Sequence, residues 1–298
     1  MRVSDSQFSQ MMLSSLHVNN AGLAKAMQQM STGERLTKLS DDPMASIQLL
    51  NLGRESAALA QYKSNIANVK TALSNQEVHL DSVNDSLQNL NDKVLWGANG
   101  TLTDGDRAAI IIEIESLRDS VVSSFNAQDE GGRYLFSGTK TDSVSISSAS
   151  GTFTLDGNND KRLVTVAKGV SMESNVTAKE LLDLGGNDLL NQLDTLIAEF
   201  RNPSAAFRAT VDLTLDSIEA TSDNVLAALT EIGGRHNNLD LLNGAHEDTK
   251  LFVDKIDGDL SALDYGEASV RLSRYMSALQ ATQASYTKID SLSLFDRL

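Results

Sequence analysis

Residues 52–94 read LGRESAALAQYKSNIANVKTALSNQEVHLDSVNDSLQNLNDKV. Alternating steps of three and four through this stretch pick out one mainly apolar face, which indicates a helix buried along one side by other helices. Asp42 and Pro43 suit an N-cap and a first helical turn, so we expect a helix of about 50 residues, roughly 75 Å long, from Pro43. The face consists of Leu52, Glu55, Leu59, Tyr62, Ile66, Val69, Leu73, Gln76, Leu80, Val83, Leu87, Leu90 and Val94.

Two further helical regions follow the same spacing. The first runs from about Asp104 to Gln128, with Ile110, Ile114, Leu117, Val121 and Phe125 on one side. The second extends from Pro203 to about Leu263, but Gly233 and Gly234 interrupt it and polar residues fall on its stripe. We therefore expect this last region to be an imperfect helix or two pieces.

The middle of the chain changes character, because short alternating runs rich in Thr, Val, Ser and Gly replace the helical spacing. The turn-forming residues 156–160 (DGNND) predict a hairpin between the last two runs. The sequence thus predicts a small β unit inserted between two helical halves, with strands at Tyr134–Phe136, Val144–Ile146, Thr152–Leu155 and Arg162–Val166.

Both ends of the chain are amphipathic helices with no evident place in a single core. Each carries an apolar stripe over several heptads, and their methionines suit adaptable packing against a partner. We interpret the stripes as an assembly interface, whose predicted residues are Phe8, Met12, Leu16, Leu23, Met30, Leu272, Tyr275, Leu279, Tyr286 and Ile289.

Composition narrows the possible partners and compartments. The formal net charge of −15 repels nucleic acid and anionic lipid surfaces, so neither is an expected partner. The chain has no cysteine, which removes disulfides and thiolate metal sites. No apolar run is long enough for a membrane helix, and residues 1–20 show no conventional signal peptide. We expect a cytoplasmic protein, or one exported without a cleaved signal.

No catalytic, cofactor or metal site is predicted. His246 and Glu247 open like a zinc-protease motif, but Lys250 stands where the second histidine is needed. Residues 156–160 resemble half of a calcium loop, but Lys161 replaces its turn glycine. Phosphate-binding and nucleophile motifs are absent as well, so we expect a protein that is not an enzyme.

Residues 23–47 (LAKAMQQMSTGERLTKLSDDPMASI) resemble the N-terminal motif of the flagellin family. Residues 263–298 are similar to the matching C-terminal helix, and the two ends pair in that family. Within the family, residues 131–141 (GGRYLFSGTKT) and 292–298 (LSLFDRL) look like the hook-associated protein 3 group. Gly266 departs from the family's usual alanine, so we expect a hinge there.

The resemblance implies a mainly α fold with a small β insert. The resemblance also implies an elongated bundle of long helices from both halves of the chain, a central β-rich domain, and terminal helical arms that are disordered in the monomer. The expected domains are an N-terminal helical arm, the first half of a helical rod, a β-rich outer insert, the second half of the rod and a C-terminal helical arm, at residues 1–40, 41–130, 131–178, 179–264 and 265–298.

The same resemblance implies a structural subunit that forms the junction between flagellar hook and filament. Its expected partners are other copies of itself, a neighbouring hook-associated protein on the hook side, flagellin on the filament side, and an export chaperone at the C-terminal helix. The expected location is the extracellular flagellum, reached by type III export. The alternative is a filament flagellin proper.

Overall fold

The computed structural model describes residues 2–99, 102–149, 151–182 and 188–295, with the side chains of residues 2–6, 8 and 289–295 left out of the description. Helices dominate these ranges, and the strands are short and antiparallel, which confirms a mainly α fold with a small β insert. The elements in chain order are α1 (Arg2–Thr32), α2 (Pro43–Gly97), α3 (Asp104–Phe125), β1 (Ile146–Ala149), β2 (Thr152–Leu155), β3 (Leu163–Ala167), β4 (Val170–Glu173), α4 (Ala178–Leu182), α5 (Leu189–Arg201), α6 (Phe207–Ser261) and α7 (Tyr265–Phe295).

Helix α2 begins at Pro43, as the sequence predicts, and is 55 residues long. The Asp42 carboxylate accepts a hydrogen bond of 3.1 Å from the Ala45 N–H, which makes Asp42 the N-cap. Between Leu59 and Val94 the predicted face is buried apart from half-buried Tyr62. At the start of the helix the face changes, since Leu52 is half-buried and Glu55 is exposed.

Helix α6 is one continuous helix of 55 residues, so the expectation of an imperfect helix or two pieces is wrong. An interior glycine costs about 1 kcal/mol relative to alanine, which weakens a helix without breaking it. Ile232 and Leu239, on either side of Gly233 and Gly234, are fully buried. Burial of this flanking apolar face holds the helix together through the glycine pair.

Helix α3 ends at Phe125, three residues before the predicted Gln128. Beyond it the backbone leaves the helix to pair with the insert, because the Leu135 N–H donates to the Ala127 carbonyl over 3.0 Å and Gln128 bridges Tyr134. The start of α3 is closed by a capping box between Thr103 and Asp106.

Helix α5 was not predicted as a separate element. Asp188 is its N-cap and accepts from the Leu190 N–H over 3.1 Å. The residues needed to recognise it are present in the sequence, because an N-cap precedes apolar positions at helical spacing. Its buried residues are Leu189, Leu190, Leu193, Leu196, Ile197 and Phe200.

The β insert consists of two separate hairpins, β1–β2 and β3–β4. Gly151 (φ 79°) comes directly before β2, and Gly169 (φ 76°) comes directly before β4, and both supply the left-handed conformation that tight hairpin turns favour. The predicted hairpin across residues 156–160 is therefore wrong. That segment packs on the loop before β1, where the Asn158 N–H donates to the Ser137 carbonyl over 3.2 Å.

The other strand predictions need correction as well. Tyr134–Phe136 is not a strand but a loop with a single bridge at Tyr134, and the run predicted at Val144–Ile146 becomes a strand only from Ile146. Leu135 and Phe136 are buried under the helices, so their apolar side chains reflect core packing and not strand alternation. Strand β4 was not predicted.

The chain divides into two compact units. Unit 1 comprises residues 1–58 and 248–298, and unit 2 comprises residues 59–247. In unit 2 one apolar core joins α2, α3, α5, α6 and the insert. In unit 1, α1 and α7 pack against each other. Each predicted arm lies in unit 1 and is helical, and its expected disorder in a free monomer stays a prediction.

Candidate assembly surface

The predicted interface residues lie on the paired helices α1 and α7. Met12, Leu16, Leu23 and Met30 on α1 are half-buried, and so are Leu272, Tyr275 and Leu279 on α7. Tyr286 remains 37% exposed. The side chains of Phe8 and Ile289 lie outside the described residues. The stripes are therefore placed on two helices that pack together in unit 1, while their role in assembly stays a prediction.

Helices α1 and α7 approach each other closely at Gly22. A Cβ added there would lie 2.5 Å from two ring carbons of Tyr275. Such a distance is shorter than real carbon contacts, so the ring occupies the space that any other residue at position 22 would need. Gly22 therefore permits the Tyr275 ring to lie directly on the α1 backbone.

A substitution at Gly22 tests this contact. We expect Gly22→Ala to separate α1 from α7, because the Tyr275 ring must move. Gly234→Ala in α6 is the matched control, since nothing lies within 4 Å of a Cβ at that position. The control should stabilise its helix by about 1 kcal/mol, because alanine favours a helix interior more than glycine does. Hydrogen exchange of the α1 and α7 amides measures the difference, and equal protection in both variants would contradict the expected clash.

The end of α1 is joined to the segment between α6 and α7 by a short antiparallel bridge. Gly33 ends α1 in the left-handed conformation (φ 74°), and its carbonyl accepts from the Leu263 N–H over 2.9 Å. The Arg35 N–H donates to the Ser261 carbonyl over 2.7 Å. Residues far apart in sequence are thereby fixed together at the base of the helix pair.

Asp41 organises the turn between α1 and α2. One carboxylate oxygen accepts from the Thr37 N–H, the Thr37 hydroxyl and the Lys38 N–H at 3.1–3.3 Å. The other lies 2.6 Å from the Lys25 ammonium of α1. These partners, with the Lys25 hydrogen bond as the largest effect, lower the pKa of Asp41 from 3.8 to about 2. The turn therefore depends on an ionised carboxylate at this position.

We expect Asp41→Asn to loosen this turn. The amide keeps an acceptor oxygen but loses the ion pair with Lys25, so trypsin should cut after Lys38 faster than in the unchanged chain. Asp81→Asn, at an exposed carboxylate on α2, is the control. Because folding lowers the pKa, the contribution of Asp41 is complete above pH 3.8 and is lost as the pH falls through about 2. Unchanged cleavage after Lys38 would show that the turn holds without this charge.

Asp42 connects the same turn to two helices. Besides capping α2, its carboxylate lies 3.3 Å from the Arg35 guanidinium, which also donates to the Leu260 carbonyl at the end of α6. The backbone hydrogen bond from Ala45, followed by the Arg35 interaction, lowers the pKa of Asp42. Arg35 and Asp42 thus tie the ends of α1 and α6 to the start of α2.

Gly266 lies in the first turn of α7 and not in a helix interior. Asp264 is the N-cap, because its carboxylate accepts from the N–H groups of Gly266 and Glu267 at 2.8 and 3.1 Å. Ala268, in the next half-turn, is fully buried. A hinge at Gly266 stays a prediction, but the backbone there is held by a cap.

Apolar side chains on the outer faces of α1 and α7 remain exposed after the two helices have paired. Met11 and Val18 on α1 are 67% and 65% exposed, and Val270 on α7 is 60% exposed. Large apolar side chains left in water favour burial against another protein surface. The pair therefore offers an outer surface of the kind that an assembling subunit needs.

The rejected metal motif at His246 has a structural role in the part of the chain that is described. No group of three or more His, Cys, Asp or Glu among them could hold a metal ion. His246 of the rejected zinc motif is buried, stacks on Tyr62 at 5.6 Å and bonds the Val166 carbonyl over 2.8 Å. It is a packing residue of unit 2. Across the same ranges, no helix is both long and apolar enough to span a bilayer.

Comparisons with known proteins agree with this architecture. A family model of the bacterial flagellin N-terminal helical region matches residues 3–141. A solved structure of a flagellar hook-associated protein from Vibrio parahaemolyticus is 63% identical with a TM-score of 0.72, over 74% of this chain and all of that one. Flagellar hook-associated protein 3 of Escherichia coli K12 is 29% identical over 99% of both chains. The flagellar filament 41 kDa core protein of Borreliella burgdorferi is also 29% identical, but over 35% of this chain.

Proposed function

The chain belongs to the hook-associated protein 3 group of the flagellin family, and from that membership we propose that it is the structural subunit joining the flagellar hook to the filament. The similarity to hook-associated protein 3 runs over 99% of both chains, and this observation carries the proposal. Similarity to the filament core protein of Borreliella burgdorferi extends over only 35% of this chain. Flagellin FlaB1 of Treponema pallidum matches 72% of this chain but at 21% identity, so extent and identity together favour a junction subunit over a filament flagellin.

The helix pair of unit 1 supports a proposed assembly through the terminal helices. The stripes on α1 and α7 are only half-buried when the two helices are paired, and further apolar residues are exposed beside them. Burial of this surface by neighbouring subunits would offset the entropy of ordering two long helices. We therefore expect both arms to be mobile in the free monomer and to become ordered in the assembled junction.

A junction subunit needs two unlike neighbours. We propose that other copies of this chain lie beside it, that another hook-associated protein contacts it from the hook side, and that flagellin contacts it from the filament side. Such contacts are heterologous, because each subunit presents different surfaces to its two sides. No reaction is part of this role, so the proposal is a structural protein and not an enzyme.

Export and protection before assembly complete the proposal. The subunit is expected in the extracellular part of the flagellum, delivered by the flagellar type III apparatus without cleavage of a signal. The exposed apolar residues of α7, including Val270 (60%) and Met276 (47%), give an export chaperone a reason to cover this helix.

Complementation tests the proposal. A bacterium that lacks its own hook-associated protein 3 should build hooks but release flagellin into the medium, and this chain should restore filaments. The purified chain, incubated alone under conditions in which flagellin polymerises, should stay monomeric or form short collars. Long filaments grown from the purified chain would instead identify it as a filament flagellin.

A further inference from the structure

An apolar groove lies along the first turns of α2 in unit 1. Its cavity of about 560 Å³ lies between this helix and the turn that precedes it. The small side chains of Gly53 and Ala57 leave open space above the α2 backbone at the floor of the groove, and nothing lies within 4 Å of a Cβ added to Gly53. The groove is lined by Leu36, Thr37, Lys38, Leu39, Ser46, Leu49, Leu50, Gly53, Arg54 and Ala57.

The groove is open and has basic side chains at its edge. Leu39 and Leu50 in its lining are 67% and 53% exposed, so the chain itself does not fill it. Lys38 and Arg54 are its charged lining residues, and within the described ranges neither forms an ion pair. Two unpaired cations are notable in a chain of net charge −15, and they favour an occupant that carries carboxylates.

A ridge with the complementary features lies on the last turns of α6, also in unit 1. Leu251 and Phe252 are 69% and 64% exposed at its centre. Asp248 and Asp259 flank them on the same helical face and form no ion pair within the described part of the chain. Lys255, between them, has a long side chain that can reach water past an apolar contact. The ridge thus carries an apolar pair and one lysine between two carboxylates.

The groove and the ridge match in length. The α2 floor from Ser46 to Ala57 and the ridge from Asp248 to Asp259 each span eleven helical steps, or about 16 Å. A floor of small residues lets a second helix approach closely, and the ridge would place its apolar centre over Leu49 and Leu50. The acidic ends of the ridge would then lie near the basic edge of the groove.

We propose that the ridge of one subunit packs into the groove of the next copy of this chain. The inference rests on the proposed junction function and names the surfaces by which copies contact each other. Groove and ridge are different surfaces of the same unit, so repeated contact is head-to-tail and generates an open or ring-like array, unlike a closed twofold dimer. The exposed Leu251 and Phe252 are buried in every copy that has a neighbour.

Cysteine cross-linking tests the contact, because the chain has no cysteine of its own. Leu50→Cys and Leu251→Cys are placed in separate, differently tagged copies and co-expressed in cells that lack their own hook-associated protein 3. After mild oxidation of isolated flagella, we expect a mixed dimer well above the homodimers of either variant. Leu241→Cys replaces Leu251→Cys in the control pair, since Leu241 is 76% exposed on α6 outside the ridge.

Homodimers alone, or equal yields with the control pair, would each overturn the proposal. A charge exchange provides a second readout. Arg54→Asp and Asp259→Arg should each lower the fraction of cells with filaments, and the two together should restore it. If the unchanged chain supports filaments but the exchange restores nothing, this contact is wrong while the junction function stands. If the unchanged chain supports none, the junction function itself fails.

Discussion

Cells that produce a chain ending at Tyr265 are expected to swim no better than cells without the protein. The truncation removes nearly all of α7, including Leu272, Tyr275 and Leu279, which pack on α1. Unit 2 ends at Glu247, so its core keeps every residue and should still fold. Without its partner, α1 is a single amphipathic helix, which cannot offset its ordering entropy.

Electron microscopy of the cells and immunoblots of the medium measure this effect. Flagellin should appear in the medium in at least the amount that unchanged cells export, which shows that export itself is intact. Circular dichroism of the purified truncated chain should show a cooperative melting transition from unit 2. Normal filaments on these cells would mean that α7 is dispensable and that the assembly surface lies elsewhere.

Gln76→Leu is expected to destabilise unit 2 by about 3 kcal/mol, because a buried backbone N–H or C=O without a partner costs about 1–3 kcal/mol. Gln76 is fully buried on the apolar face of α2. Its amide donates to the Leu135 and Val176 carbonyls over 2.8 and 3.0 Å, and its oxygen accepts from the Val176 N–H over 2.9 Å. Leucine has a similar size but satisfies none of these groups.

Denaturant unfolding of the full chain measures this loss. Gln88→Leu, at an exposed position of the same helix, is the matched control and should change stability by less than about 0.5 kcal/mol. If the two variants unfolded alike, water or a local shift would be satisfying the insert backbone, and Gln76 would not be its anchor.

The long periodic faces are what the sequence predicts best. Helix α2 could be placed from Asp42 and Pro43 onward because cap, first turn and six heptads of spacing all agree. Helix α6 was harder, since glycine propensity argued for a break at Gly233 while tertiary burial of Ile232 overrode it. Local rules could not weigh that burial, because it depends on residues distant in the chain.

In the β insert, the turn residues of the sequence did not predict where the hairpins close. Residues 156–160 consist only of residue types that favour a turn, yet the hairpins close at Gly151 and Gly169. Which of these turn-forming segments closes a hairpin depends on the register of the strands on either side, and that register depends on which neighbouring strand is available for pairing. Gln76 could be recognised as an irregularity on an apolar face, but its two partner residues lie 59 and 100 residues further along the chain. Their positions follow only from the fold.

The terminal stripes illustrate what remains a prediction. Their helical spacing was correct, and seven of the ten proposed residues are half-buried where α1 and α7 meet. The exact fit at Gly22 was not foreseen, because a glycine inside a helix gives no sign of the ring that covers it. Which faces of this pair meet another subunit is decided by the assembly and not by the chain alone.

Asp41 and Asp42 are neighbours of the same residue type, yet different replacements should be tolerated at the two positions. Asp42 caps a helix, a task that serine or asparagine performs nearly as well, and its exposed ion pair with Arg35 adds little. Asp41 needs a negative charge for Lys25 and for three donors of one turn. Natural variation should therefore be broad at the second aspartate and narrow at the first.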